Sequence, residues 1–216
     1  MEIGDASANR RPLKSRSTAW AAAAARLAVR SGISANGVST LGVLVSIVGA
    51  VALAQSFKSE WLFLIGAACI QLRLLCNLLD GMVAIEGGRA SPTGAIFNEF
   101  PDRIEDSIFL AAAGYGVGYL DLGLLAALLA AACAYVRLLG ATLGQPQDFG
   151  GPMAKPHRMA ALTLGCIAAA ATAALPYDAH KEQIIILQIT LWVISAGTLL
   201  TIALRLWRMA NKLQQR

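Results

Sequence analysis

Charge is what this sequence has least of. Asp, Glu, Lys and Arg make up 14% of its 216 residues while 56% are hydrophobic, where a soluble domain carries about 25% charged residues. That shortage excludes water as the solvent for most of the chain. Cysteine is scarce too: Cys69, Cys76, Cys133 and Cys166 all lie in apolar stretches with no CxxC pair. Zinc-type and disulfide frameworks are therefore excluded, and the four read as small core packers. No basic face interleaved with aromatics occurs, so nucleic acid is excluded as a partner and the net charge of +5 reads as attraction to a membrane surface. No charge-free core with a cleavage site follows the polar first residues, so no cleavable signal peptide is expected.

What is present is a series of nearly uncharged runs of about twenty residues, the length that crosses roughly 30 Å of hydrocarbon. The expected fold is an all-α integral membrane protein with about six spans, near 37–56, 61–84, 94–118, 121–144, 158–176 and 183–204. Residues 1–16 read as a disordered basic arm and 17–216 as a single membrane domain. Within it, 17–31 is Ala-rich, with Trp20, Leu27, Arg26 and Arg30, and suits an interfacial helix; a plain helical linker stays open. Residues 205–216 form a basic tail. Thirteen Lys and Arg fall outside the spans on one side and only Lys58 and Lys181 on the other. Both termini are thus expected in the cytoplasm.

Ionisable residues inside spans cost roughly 2.5 to 3.5 kcal/mol each, so they should face a cavity or a partner. Here they gather on the cytoplasmic half: Arg73, Asn77 and Asp80; Asn98, Asp102, Arg103, Glu105 and Asp106; Arg137; then Lys155, His157 and Arg158. Arg73, Asn77, Asp80 and Ala84 recur at helical spacing, as do Asn98, Asp102 and Asp106, so each set lines one stripe of a helix. Two facing stripes of carboxylate and amide oxygens suit Mg²⁺ or Mn²⁺. Interhelical salt bridges, such as Arg73 with Asp80 or Arg103 with Glu99, stay open as the alternative. His157 lacks a carboxylate partner in sequence and reads as a surface residue. Gly140 to Pro156 reads as a mobile rim over the pocket.

The run Asn77-Leu-Leu-Asp80-Gly81-Met-Val-Ala84, with Gly94-Ala-Ile-Phe-Asn98-Glu-Phe-Pro-Asp102 eight residues after Ile85, resembles the DxxDGxxAR…GxxxDxxxD signature of the CDP-alcohol phosphotransferases. Ile33-Ser-Ala-Asn36-Gly-Val-Ser-Thr40 is similar to that family's first-helix entry. The resemblance covers most of the chain. Three positions depart: the first and third aspartates are Asn77 and Asn98, and the arginine after Ala84 is Ile85.

The resemblance implies a transferase of phospholipid synthesis that moves a phosphatidyl-type group from a CDP-linked lipid, CDP-diacylglycerol, to a small alcohol and releases CMP. By the same resemblance Asn77, Asp80 and Asn98 hold metal and Asp102 is the general base, with Asp102 and Asp106 as further carboxylates for one or two Mg²⁺ or Mn²⁺ ions. Gly81, Ala84 and Gly94 pack around CDP, with Arg89 replacing the missing arginine. Arg137, Lys155 and Arg158 are placed to bind the phosphate of an acceptor such as glycerol 3-phosphate or inositol phosphate; topology-setting loop charges are the alternative for Lys155 and Arg158. A homodimer follows from the resemblance alone, and Gly114, Gly116 and Gly118 offer close helix contact or internal packing. A catalytically degenerate member that binds nucleotide-lipid or acts as a membrane scaffold stays open because of the two asparagines. A transporter is disfavoured by the off-centre polar cluster and the lack of an internal repeat.

Overall fold

A computed structural model of the protein describes residues 18–86, 94–174 and 179–215. Among them the chain forms α1 (Ala19–Arg30), α2 (Ala35–Ala54), α3 (Trp61–Glu86), α4 (Gly94–Gly116), α5 (Leu120–Thr142), α6 (Lys155–Ala171) and α7 (Ala179–Gln214), with single 3-10 turns at Ser56–Lys58 and Thr172–Ala174. No strand occurs among the described residues. Helix is what a lipid-facing chain requires, because each backbone N–H then finds its acceptor within its own segment. The basic arm 1–16 and Arg89 lie outside the described residues.

Among the described residues four helices are long and apolar enough to cross a membrane: α2, Trp61–Ala84 of α3, α5 and His180–Gln214 of α7. Composition alone therefore identifies four spans where the sequence reading expected six. The difference lies in α4, whose first half carries Glu99, Asp102, Arg103, Glu105 and Asp106, and in α6, which has 17 residues and begins Lys155-Pro-His-Arg158. Both are polar at the end that enters the site. On the outside Leu44, Val48 and Val51 of α2, Leu128 of α5 and Trp192 and Leu199 of α7 are exposed, an apolar surface that water would not tolerate at this extent.

The main core lies between the helices, built from Leu53, Phe63, Ile70, Phe109, Leu110, Met159, Leu162, Leu187, Leu191 and Ile194. Glycine sets the closest approaches. A Cβ on Gly49 would lie 2.5 Å from the Cys69 Cβ, and one on Gly114 2.7 Å from the Gly123 Cα. Gly114 thus serves internal packing against α5 and Gly116 against the C-terminal end of α2 at the Leu53 carbonyl, and Gly118, at φ +78°, makes the turn between α4 and α5. All four cysteines are free and buried, as packers should be.

Helix α1 covers the C-terminal half of α3 with Ala21 and Ala25 against Leu78, Met82 and Val83, while Trp20 and Leu27 stay exposed. Ser34 opens α2 by accepting the Gly37 N–H at 3.1 Å. At the other terminus α7 continues unbroken to Gln214, so residues expected as a tail extend the helix instead. That extension fastens the 143–154 loop. Arg205 donates to the Gly150 and Cys133 carbonyls at 3.0 and 2.9 Å, Gln145 to the Met209 carbonyl at 3.1 Å, and Arg208 to Asp148 at 2.8 Å. The Met153 N–H bonds Thr201 at 2.9 Å. A segment expected as a mobile rim is thereby tied to α7.

Candidate active site

The C-terminal half of α3 and the N-terminal half of α4 face each other, and their polar stripes meet around Arg73. This guanidinium has no exposed side-chain surface and contacts three carboxylates of α4: Glu105 through Nε at 2.5 Å, Asp106 through Nη1 at 2.9 Å and Asp102 through Nη2 at 3.1 Å. Glu105 and Asp106 are themselves buried. The partner expected from spacing, Asp80, is not among them. The other sequence-level pair, Arg103 with Glu99, does form, as its i,i+4 spacing allows.

Asp102 has both oxygens engaged. Its Oδ1 accepts from Arg73 and, at 2.5 Å, from the Asn77 side-chain N–H, while Oδ2 pairs with Lys155. Lys155 lies just ahead of the fifth expected span, in the first turn of α6. Arg158 is nearly inaccessible, donates to the Met153 carbonyl at 3.0 Å and lies 3.5 Å from Asp106. It is thus an interior residue and not a loop charge. His157 is exposed, in keeping with its sequence reading.

Asp80 behaves differently. Buried on α3, it accepts a hydrogen bond at 2.9 Å from the Ser39 hydroxyl of α2, and among the described residues its Oδ1 has no hydrogen-bond partner. Ser39 was missed in the sequence, although Ser39, Gly42, Ser46 and Gly49 recur at helical spacing and mark the face of α2 that meets α3 and α4. Gly42 keeps this junction open: a Cβ there would be 3.3 Å from the Cys76 Cβ and 3.6 Å from Glu105 Oε1.

Arg137 of α5 reaches Glu99 at 2.5 Å, pairs with Gln147 and stacks over the Phe149 ring at 5.2 Å. Beside it a cleft lined by Arg137, Arg205, Arg208, Lys212 and Asp148 opens between α5, α7 and the fastened loop. Arg205, which the sequence placed among tail charges, is buried here. Gly81 and Ala84 lie on α3 within the same region; Gly94 and Asn98 belong to α4, and their side-chain surroundings are outside the described residues.

A divalent ion fits this donor set in part. An unpartnered buried carboxylate oxygen, such as Asp80 Oδ1, calls for a cation. By contrast Asp102 and Asp106 already face lysine and guanidinium groups, and among the described residues no three His, Cys, Asp or Glu side chains group as a metal site. Asp80 is thus a carboxylate with an oxygen open to a cation.

No protein-family profile matches the chain. It is 28% identical over 184 residues to the phosphatidylinositol phosphate synthase of Streptomyces avermitilis, covering 82% of this chain and 72% of that protein. To the phosphatidylinositol phosphate synthase of Mycolicibacterium smegmatis it is 24% identical over 188 residues, covering 84% and 79%. Among crystal structures, Mycobacterium tuberculosis phosphatidylinositol phosphate synthase with CDP-DAG bound superposes at a TM-score of 0.72 and 21% identity, covering 88% of this chain and 92% of that one. Its complex with manganese and citrate gives 0.73, at 21% identity and 88% coverage of each. The fold of this chain is the fold of those structures.

Proposed function

We propose that this protein is a membrane CDP-alcohol phosphatidyltransferase of phospholipid biosynthesis that transfers the phosphatidyl group of CDP-diacylglycerol to inositol phosphate. The observation that carries this reading is the spaced motif itself: Asp80 and Asp102 survive on two facing helices, one with a free oxygen and one held by cations. Relatives named for phosphatidylinositol phosphate at 28% and 24% identity support inositol phosphate as the acceptor. Glycerol 3-phosphate, the acceptor offered from the sequence, finds no support in those names.

In this reading the acceptor hydroxyl attacks the lipid-proximal phosphorus, the bond to the CMP oxygen breaks, and the hydroxyl proton passes to Asp102. Asp80 anchors the metal, with the carbonyl oxygens of Asn77 and Asn98 as neutral donors; Asp106, whose oxygens face two guanidiniums, drops out of the ligand set. A bound Mg²⁺ or Mn²⁺ supplies positive charge for the diphosphate and the departing CMP. Gly81, Ala84 and Gly94 leave room for the nucleotide, and the family resemblance offers Arg89 for its diphosphate. Lys155 covers Asp102 Oδ2, and an acceptor phosphate competes for that ammonium, so binding the acceptor uncovers the base. Arg137 and the basic cleft beside it hold the same phosphate, while Arg158 keeps Asp106 in place.

The charge pattern supports six spans, with α4 and α6 crossing as parts of the bundle, both termini in the cytoplasm and the site on that face. A homodimer rests on the family resemblance. The test is CMP release by the purified protein in vesicles holding CDP-diacylglycerol, offered inositol phosphate, glycerol 3-phosphate, inositol, serine or ethanolamine, with Mn²⁺ or with EDTA. Release that requires both Mn²⁺ and inositol phosphate is the expected result. A second reading, a non-catalytic member that binds CDP-lipid, draws on the saturation of Asp102 and predicts lipid binding without release for any acceptor.

A further inference from the structure

The ionic cluster has a charge pattern that the proposed reaction does not by itself explain. Asp102, Glu105 and Asp106 face Arg73, Lys155 and Arg158, so three carboxylates are matched by three cations. Arg73 belongs wholly to this set. Its side chain is inaccessible, it stays protonated at any physiological pH, and its three nitrogens are divided among the three carboxylates.

Asn77 completes the pattern. An ionised Asp102 oxygen can only accept, so the amide must turn its N–H toward it at 2.5 Å. An aspartate at position 77 would put two carboxylates into that contact, which is bearable only with a cation between them. With asparagine it is an ordinary hydrogen bond. Among the described residues Asp80 Oδ1 is buried with no hydrogen-bond partner, and Asp80 forms no ion pair.

We infer that Arg73 is a built-in cation that takes the place of a second metal ion, so that this chain binds a single divalent ion, on the Asp80 side. Arg73, Asn77 and Asp102 together form a metal-independent clamp between α3 and α4. The inference rests on the proposed transferase reading for the place of the ion, but its stoichiometry is measured without turnover.

The experiment is Mn²⁺ binding to the purified full chain in lipid nanodiscs, with metal content counted after equilibrium dialysis and the bound ion examined by electron paramagnetic resonance. One Mn²⁺ per chain with the spectrum of an isolated ion is expected. Two ions, a spin-coupled pair, or no bound Mn²⁺ overturns the inference. In Arg73→Gln a second Mn²⁺ should enter and couple to the first, while Arg73→Lys, which keeps the charge, should stay at one; a folded Arg73→Gln that still binds one ion also overturns it. Should Arg73→Gln fail to elute as a folded species, Asn77→Asp decides. With two carboxylates now in contact, Mn²⁺ should raise its unfolding temperature more than that of the wild type, and an equal rise counts against the inference. CMP release is read separately: one Mn²⁺ without release defeats the transferase reading alone, whereas two Mn²⁺ with release defeats only the role of Arg73.

Discussion

Helix α2 meets α3 and α4 twice through a glycine, and the two meetings differ in kind. At Gly49 the neighbours are Cys69 and Phe109, both buried and apolar; at Gly42, about two turns earlier, they are Cys76, Glu105 and Asn77. The first is close packing, in which other apolar residues of similar volume would serve. The second depends on individual partners. Buried ion clusters are poor investments in stability, since well-packed apolar replacements are often neutral or better by about 1–4 kcal/mol. Charges retained at Gly42 but not at Gly49 therefore point to chemistry at one end of the bundle and to scaffolding at the other.

The comparison can be broken at several points. Asp102→Asn should have the largest effect, lowering CMP release by at least about a hundredfold through loss of the base; near-normal turnover would move the chemistry away from the ionic end. At the scaffolding end, Gly49→Ala places a Cβ 2.5 Å from that of Cys69 and should cost about 1–3 kcal/mol by overpacking, seen as earlier thermal unfolding in detergent. Mn²⁺ binding by the surviving folded fraction should not change. An effect on Mn²⁺ would show that the two ends are mechanically coupled.

Two smaller changes sharpen the picture of the ionic end. Arg137→Ala should raise the KM for inositol phosphate about tenfold, equivalent to about 1.4 kcal/mol, with less change in kcat; a pure kcat loss would remove Arg137 from acceptor binding. Ser39→Ala removes one hydrogen bond to Asp80, worth about 0.5–1.5 kcal/mol. It should shift Mn²⁺ affinity several-fold with little change in unfolding temperature, measured by titration calorimetry.

Much of this was legible in one dimension. Nearly uncharged runs mark four of the helices because hydrocarbon tolerates little else, and helical spacing puts Arg73, Asn77 and Asp80 on one stripe. Glu99 and Arg103, one turn apart, pair as their spacing allows. Asn77 and Asp80 stand on α3 and Asp102 on α4, which run through the second and third expected spans.

What the spacing did not determine is who pairs with whom. Arg73 and Asp80 are seven residues apart on one helix, about 10 Å along its axis, so a shared stripe is not a shared contact. Arg73 instead finds Asp102, Glu105 and Asp106 across the α3–α4 interface, Asp80 finds Ser39 on α2, and Arg205 turns inward to hold a loop read as mobile. Sequence determines the periodicity of a helix and its affinity for lipid, because both are local. The partner of a buried charge is set by the distance and rotation between helices, and those are decided only when the bundle packs.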